Sequence, residues 1–63
     1  MKKPNVSPNN LYEIPSACKA LGVDRRTLRR YTQAGVLPCH IRRADGRIVY
    51  FGSDLLACYY AVE

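Results

Sequence analysis

A three-residue link, Gly22-Val23-Asp24, constrains this chain more than any other stretch. Helical periodicity stands on both sides of it. Upstream, Ile14, Ala17, Cys18 and Leu21 recur at i, i+3, i+4 and i+7, which makes one apolar stripe on a short helix. Pro15 is tolerated only in a first turn, so the helix starts at Glu13 or Ile14. Gly22 suits the position just past the helix end. Downstream, Asp24 is a good N-cap, because its carboxylate can accept from the free amides of a first turn. Val23 and Leu28 have the spacing of a hydrophobic staple across that cap. Gly35 can end the second helix, and Pro38 discourages a restart. So short a connection, with a glycine in it, joins two helices at a steep angle.

Such a pair is a helix-turn-helix motif, and its second helix, residues 24–34, is the one presented outward. Winding that helix at about 100° per residue separates two faces. Leu28 and Tyr31 fall on one; Arg25, Arg26, Arg29, Arg30 and Gln33 fall on the other. A charged stripe is usually only a solvated face. This one contains four arginines and no acid to pair with them at i,i+4. Like charges this dense cost stability unless an anion neutralises them, so a polyanion is the expected partner.

Charge distribution carries the same message. The 63 residues suffice for one small domain and leave no room for a deep substrate cavity. The net charge of +5 comes from ten Lys and Arg against five acids. Seven of those ten cations are arginines between Arg25 and Arg47, where Asp45 is the only acid. Arginine's planar fork suits phosphates and guanine edges, and its concentration in one segment points to nucleic acid. Cys18, Cys39 and Cys58 form an odd, widely spaced set, which fits a reduced, cytoplasmic compartment better than a disulfide framework. Met1 to Asn10 supplies no apolar core for a leader, and no run approaches membrane-spanning length.

Residues 1–10 hold two prolines and three asparagines without any period, and read as a mobile arm ahead of a domain over 11–63. Cys39 to Ala44 and Arg47 to Phe51 read as two strands around Asp45-Gly46, a signal for a two-residue type I′ hairpin turn. That turn would set Ala44 opposite Arg47, Arg43 opposite Ile48 and Ile41 opposite Tyr50. Ile41, Ile48 and Tyr50 would then share the core side, with Arg42 and Arg47 on the other side near the tip. Val49 and Phe51 make the second side apolar too, and a longer loop would shift the pairing and exchange the faces. Ser53 reads as the N-cap of a third helix with Asp54 in its first turn, and Leu55, Cys58, Tyr59 and Val62 recur at helical spacing. The fold class is α+β, mostly helical: three short helices with a two-stranded hairpin between helices 2 and 3.

This order resembles the winged helix-turn-helix domains of the excisionase (recombination directionality factor) and MerR-like group. The resemblance rests on Ala20-Leu21-Gly22-Val23, on Arg25-Arg26-Thr27-Leu28-Arg29 with Tyr31, on Gly35-Val36-Leu37-Pro38, on the tip Gly46-Arg47 and on Ser53-Asp54-Leu55. It covers about residues 11 to 62. It implies a second helix in the major groove of double-stranded DNA and a hairpin wing, 39–51, on the adjacent minor groove or backbone. By position, Arg25, Arg26, Thr27, Arg29 and Arg30 would serve on the helix, and Arg42, Arg43 and Arg47 on the wing; one or two of the arginines, with Gln33 of the outward face or Thr27, would read base edges. The chain departs from the group's pattern at Asp24, where Ser or Thr is usual, and at the apolar Val49 and Phe51. The expected function is a small sequence-specific DNA-binding protein of a prokaryote or mobile element, acting in DNA recombination or transcription regulation. A recombinase (integrase) or a second copy on adjacent sites would be its protein partner.

A second class of function is a protein-interaction module, in which helix 3 and the apolar wing face are the working surface and the arginines bind an acidic partner. Neither enzyme, metal site nor cofactor is expected. His40 is the sole histidine and adjoins Cys39, yet neighbours on a strand point to opposite faces. Structural zinc wants four ligands, usually in paired spacing, and these are missing. Glu13, Asp24, Asp45 and Asp54 read as caps and turn residues, so no small-molecule substrate is expected either.

Overall fold

The computed structural model describes residues 2–62, so the outer ends of the arm and domain, Met1 and Glu63, lie outside the described residues. Its elements run β1 (Leu11–Glu13), α1 (Ile14–Leu21), α2 (Arg25–Gln33), β2 (His40–Ile41), β3 (Ile48–Phe51) and α3 (Gly52–Val62). The three helices pack with a three-stranded antiparallel sheet of order β1-β3-β2.

The link forms as its residues dictate. Pro15 sits in the first turn of α1, and Gly22 closes that helix at φ 70°. Only glycine takes this left-handed conformation without a Cβ penalty. Val23 N–H then donates back to the Cys18 carbonyl at 3.0 Å, the bond that seals a Schellman-type end. Asp24 caps α2, its Oδ1 accepting from Thr27 N–H at 2.8 Å. At the far end, Gly35 N–H donates to Thr32 O and Val36 N–H to Tyr31 O, the same closing pattern.

Packing follows the apolar stripes. Ala17, Cys18 and Leu21 of α1 meet Leu28 of α2, Leu37 of the connector, Tyr50 of β3, and Leu55 and Cys58 of α3 in one buried cluster. Tyr31 and Val23 pack half-buried against it. Leu28 is the only fully buried residue that α2 contributes.

Three expectations change. The hairpin does not use a two-residue turn. Arg42 N–H donates to Arg47 O, Ile41 pairs with Ile48 and His40 with Val49, leaving residues 43–46 as a four-residue loop. A type I′ turn needs positive φ at both central residues; Gly46 has it and Asp45 does not. Asp45 Oδ1 instead accepts from Arg47 N–H at 3.1 Å. The pairing therefore slips by two residues, which preserves side-chain parity. Arg42 and Arg47 stay on the face opposite Ile48 and Tyr50. Ile41 and Ile48, however, are both exposed, Ile41 at 65% because the two-residue β2 is an edge strand reaching past the core, while Val49 on the second face is buried. Val49 lies in the central strand between Glu13 and His40, its register partners.

The sheet also has a third strand. β1 was not legible as one: Leu11–Glu13 is too short to show alternation and runs directly into α1. It pairs Leu11, Tyr12 and Glu13 with Phe51, Tyr50 and Val49.

The third change concerns the arm and the start of α3. Residues 2–10 are tied to the domain at both ends, against the expectation of a free arm. Lys2 N–H donates to Leu21 O at 2.9 Å, Pro4 is buried, Val6 packs on the core and Ser7 N–H donates to the Tyr12 hydroxyl. Ser53, expected as a cap, lies inside α3. The first amides of α3 are met by backbone: Gly52 N–H donates to Asn10 O at 2.9 Å and Ser53 N–H to Pro8 O at 3.1 Å. A Cβ on Gly52 would clash with the Ser7 carbonyl oxygen. Gly52→Ala should therefore destabilise the domain by about 2 kcal/mol or more, as overpacking against backbone does. Thermal unfolding followed by circular dichroism reads this. An unchanged midpoint would show that residues 7–10 do not lie against α3.

Candidate nucleic-acid interface

α2 presents its basic side because one residue anchors the other. With Leu28 in the core, Arg25, Arg26, Arg29, Arg30 and Gln33 are all exposed, and Thr27 is half-buried. Among the described residues none of these four arginines is in an ion pair. Asp24 is the acid that caps the same helix. Hydrogen bonds from the Thr27 side chain and amide hold its carboxyl below the usual range, so the cap stays ionised.

Between α2 and the hairpin lies an open cavity of about 530 Å³. Arg25, Arg29 and Gln33 line its helix side, Cys39 and Ile48 the opposite side, and Tyr50 its floor. Of the sequence-assigned helix residues, Arg25, Arg29 and Gln33 are therefore brought together on the side facing the hairpin, while Arg26, Thr27 and Arg30 lie outside that cavity.

The hairpin residues divide. Arg43 is exposed in the loop, with no ion pair among the described residues. Arg42 and Arg47 are engaged. Arg42 Nη2 donates to Glu13 Oε2 at 2.8 Å and to Asp45 Oδ2 at 2.6 Å, while its Nε reaches Asp45 Oδ1 at 3.1 Å. Arg47 Nη1 donates to Glu13 Oε1 at 3.0 Å, and its Nε lies 3.7 Å from Asp45 Oδ2. Two guanidinium groups thus share two carboxylates. Arg42 above all, and Arg47 with it, depress the Glu13 pKa. The Arg42 fork and the Arg47 amide hold the Asp45 carboxyl at about 2. The same carboxylates push the Arg42 pKa up.

Glu13 is the residue that sequence reasoning missed. It sits at the N-cap position of α1 but makes no capping hydrogen bond. Its partners lie 29 and 34 positions away, so no local spacing announces them. Recognising β1 as a strand beside β3 would have placed it at the hairpin.

The His40 ring stands edge-on to Phe51 at 4.8 Å, with Nε2 3.4 Å from Asp54 Oδ2. Cys18 and Cys58 are buried, and desolvation raises both thiol pKa values. Among the described residues no helix is long and apolar enough to cross a membrane.

Two helices on a tight link, with an unpaired basic face on the second, define a helix-turn-helix DNA-binding domain. The family model described as a helix-turn-helix domain matches residues 11–58, and the chain belongs to that family. Comparisons with curated proteins and with solved structures found no match.

The ion-pair cluster carries a pH dependence. Glu13 and Asp45 have folded-state pKa values below their unfolded ones. The stability they lend is fully present above their unfolded pKa values, about 4. It is lost as pH falls through the folded values, about 2 for Asp45. The thermal midpoint should drop between roughly pH 5 and pH 2, and the drop should be shallower in Asp45→Asn. Equal slopes for the two proteins would exclude Asp45 as a source of that stability.

Proposed function

We propose that this protein is a small sequence-specific binder of double-stranded DNA, with α2 in the major groove. The observation that carries this reading is the exposed row of Arg25, Arg26, Arg29 and Arg30, unpaired among the described residues while Leu28 locks the helix from behind. These guanidinium groups neutralise phosphates and release counterions, and one or two of them, with Thr27 or Gln33, read base edges. The β2–β3 hairpin acts as a wing beside the helix and brings Arg43 toward the backbone. The role is binding, without catalysis or a cofactor.

Within this reading the protein is excisionase-like. It is either a recombination directionality factor or a small transcriptional regulator of a mobile element. A single module covers a short site, so useful affinity comes from a second copy on an adjacent site or from a recombinase. Support comes from the order of elements and from the arginine-rich second helix.

Selection of bound duplexes from a random pool tests DNA binding and returns the site together. The selected duplex should then lose at least about tenfold in affinity when Arg26 and Arg29 are both replaced by alanine, since each arginine contact is worth roughly 1–3 kcal/mol. Wild-type binding should weaken steeply with salt. No enrichment at low salt, or an affinity indifferent to salt, would reject the reading.

A further inference from the structure

The hairpin holds two arginines that are placed to look like phosphate ligands and are already committed elsewhere. Arg42 uses both Nε and Nη2 on carboxylates, and Arg47 uses Nη1 on Glu13. The Glu13 carboxylate spans them, one oxygen to each. Glu13 arrives from β1, on the far side of β3 from β2, so the bridge crosses the whole sheet. The four groups sum to zero charge.

Position makes this matter for binding. An open depression of about 340 Å³ is lined by Arg25 of α2 and by Glu13 and Arg47. A phosphate seated between helix and hairpin would meet the Glu13 carboxylate as well as the two guanidinium groups. Coulomb repulsion from Glu13 offsets the attraction that Arg47 offers there, because opposite charges at near-equal distance cancel. Arg25, Arg26, Arg29, Arg30 and Arg43 have no such counter-charge in ion-pair contact among the described residues.

We propose that Glu13 withholds Arg42 and Arg47 from nucleic acid, acting as a fixed counter-charge that makes these two arginines part of the hairpin's framework. Phosphate neutralisation then falls to the helix arginines and Arg43. The inference rests on the DNA-binding reading and refines it: five arginines, rather than the seven between Arg25 and Arg47, carry the charge that DNA meets. It also assigns Glu13 a specific role, since removing it takes the one side-chain hydrogen bond Arg47 makes among the described residues and leaves it only the 3.7 Å approach to Asp45. Arg42 keeps its two bonds to Asp45.

The test is the slope of log affinity against log salt on one duplex, for folded variants checked by circular dichroism. Each lost phosphate contact flattens that slope by about 0.9. Arg29→Ala should flatten it by about that much, and Arg47→Ala by less than half as much. Glu13→Gln should steepen the slope by about 0.9, and Glu13→Gln combined with Arg47→Ala should return it to the wild-type value. Should Glu13→Gln fail to fold, the contrast between Arg29→Ala and Arg47→Ala still decides. Arg47→Ala flattening the slope as much as Arg29→Ala, or a folded Glu13→Gln with the wild-type slope, would overturn this inference and leave the DNA reading standing. A wild-type protein that binds no duplex at low salt would overturn both.

Discussion

α2 is fixed to the domain by one fully buried side chain, Leu28, which is 1% exposed and meets α1, the connector and β3 in the core. Everything the helix presents outward depends on that contact. A nine-residue helix with four arginines is too short and too like-charged to hold itself together in water. Its stability comes from the cap at Asp24, the closing bonds at Gly35 and Val36, and the burial of Leu28 beside Tyr31. With so little of the helix surface used for packing, the remainder is free for charge. The short link does the rest, because a three-residue connection leaves the second helix no other place to pack.

Electrostatics then separates arginines that look alike in sequence. Among the described residues no ion pair neutralises the α2 arginines, so that helix favours anions. On the hairpin the same residue type is used to brace a four-residue loop and to tie β1 to the far edge strand through Glu13. One amino acid thus serves two purposes, distinguished by whether a carboxylate lies within reach. The brace has its own logic: β2 is two residues long, and so short an edge strand gains from cross-strand ion pairs.

The N-terminal segment is the part of the fold least visible beforehand. Its prolines and asparagines have no period, and a segment without period reads as disorder. What holds residues 2–10 is backbone rather than side-chain pattern. The carbonyls of Pro8 and Asn10 take up the first amides of α3, which otherwise have no intrahelical partner. Gly52 permits the approach by having no Cβ. A capping signal at Ser53 was plausible chemistry, yet the helix begins one residue earlier, at Gly52, with backbone carbonyls accepting from the Gly52 and Ser53 amides. Composition contains no trace of that preference.

Local features determined the helices. The i, i+3, i+4 stripe of Ile14 to Leu21, the Asp24 cap, the Gly22 and Gly35 stops and the outward arginines of α2 all act within a turn or two of themselves, so sequence alone was enough to find them. Features that join distant positions were decided only by the tertiary structure. β1 exists because β3 is there to pair with it, and Val49 is buried because Glu13 and His40 flank it. The loop is four residues long, with Asp45 at negative φ and its carboxylate accepting from the Arg47 amide and the Arg42 fork. Glu13 meets Arg42 and Arg47 across 29 and 34 positions, a separation over which the chain carries no periodic signal and only folding sets the distance.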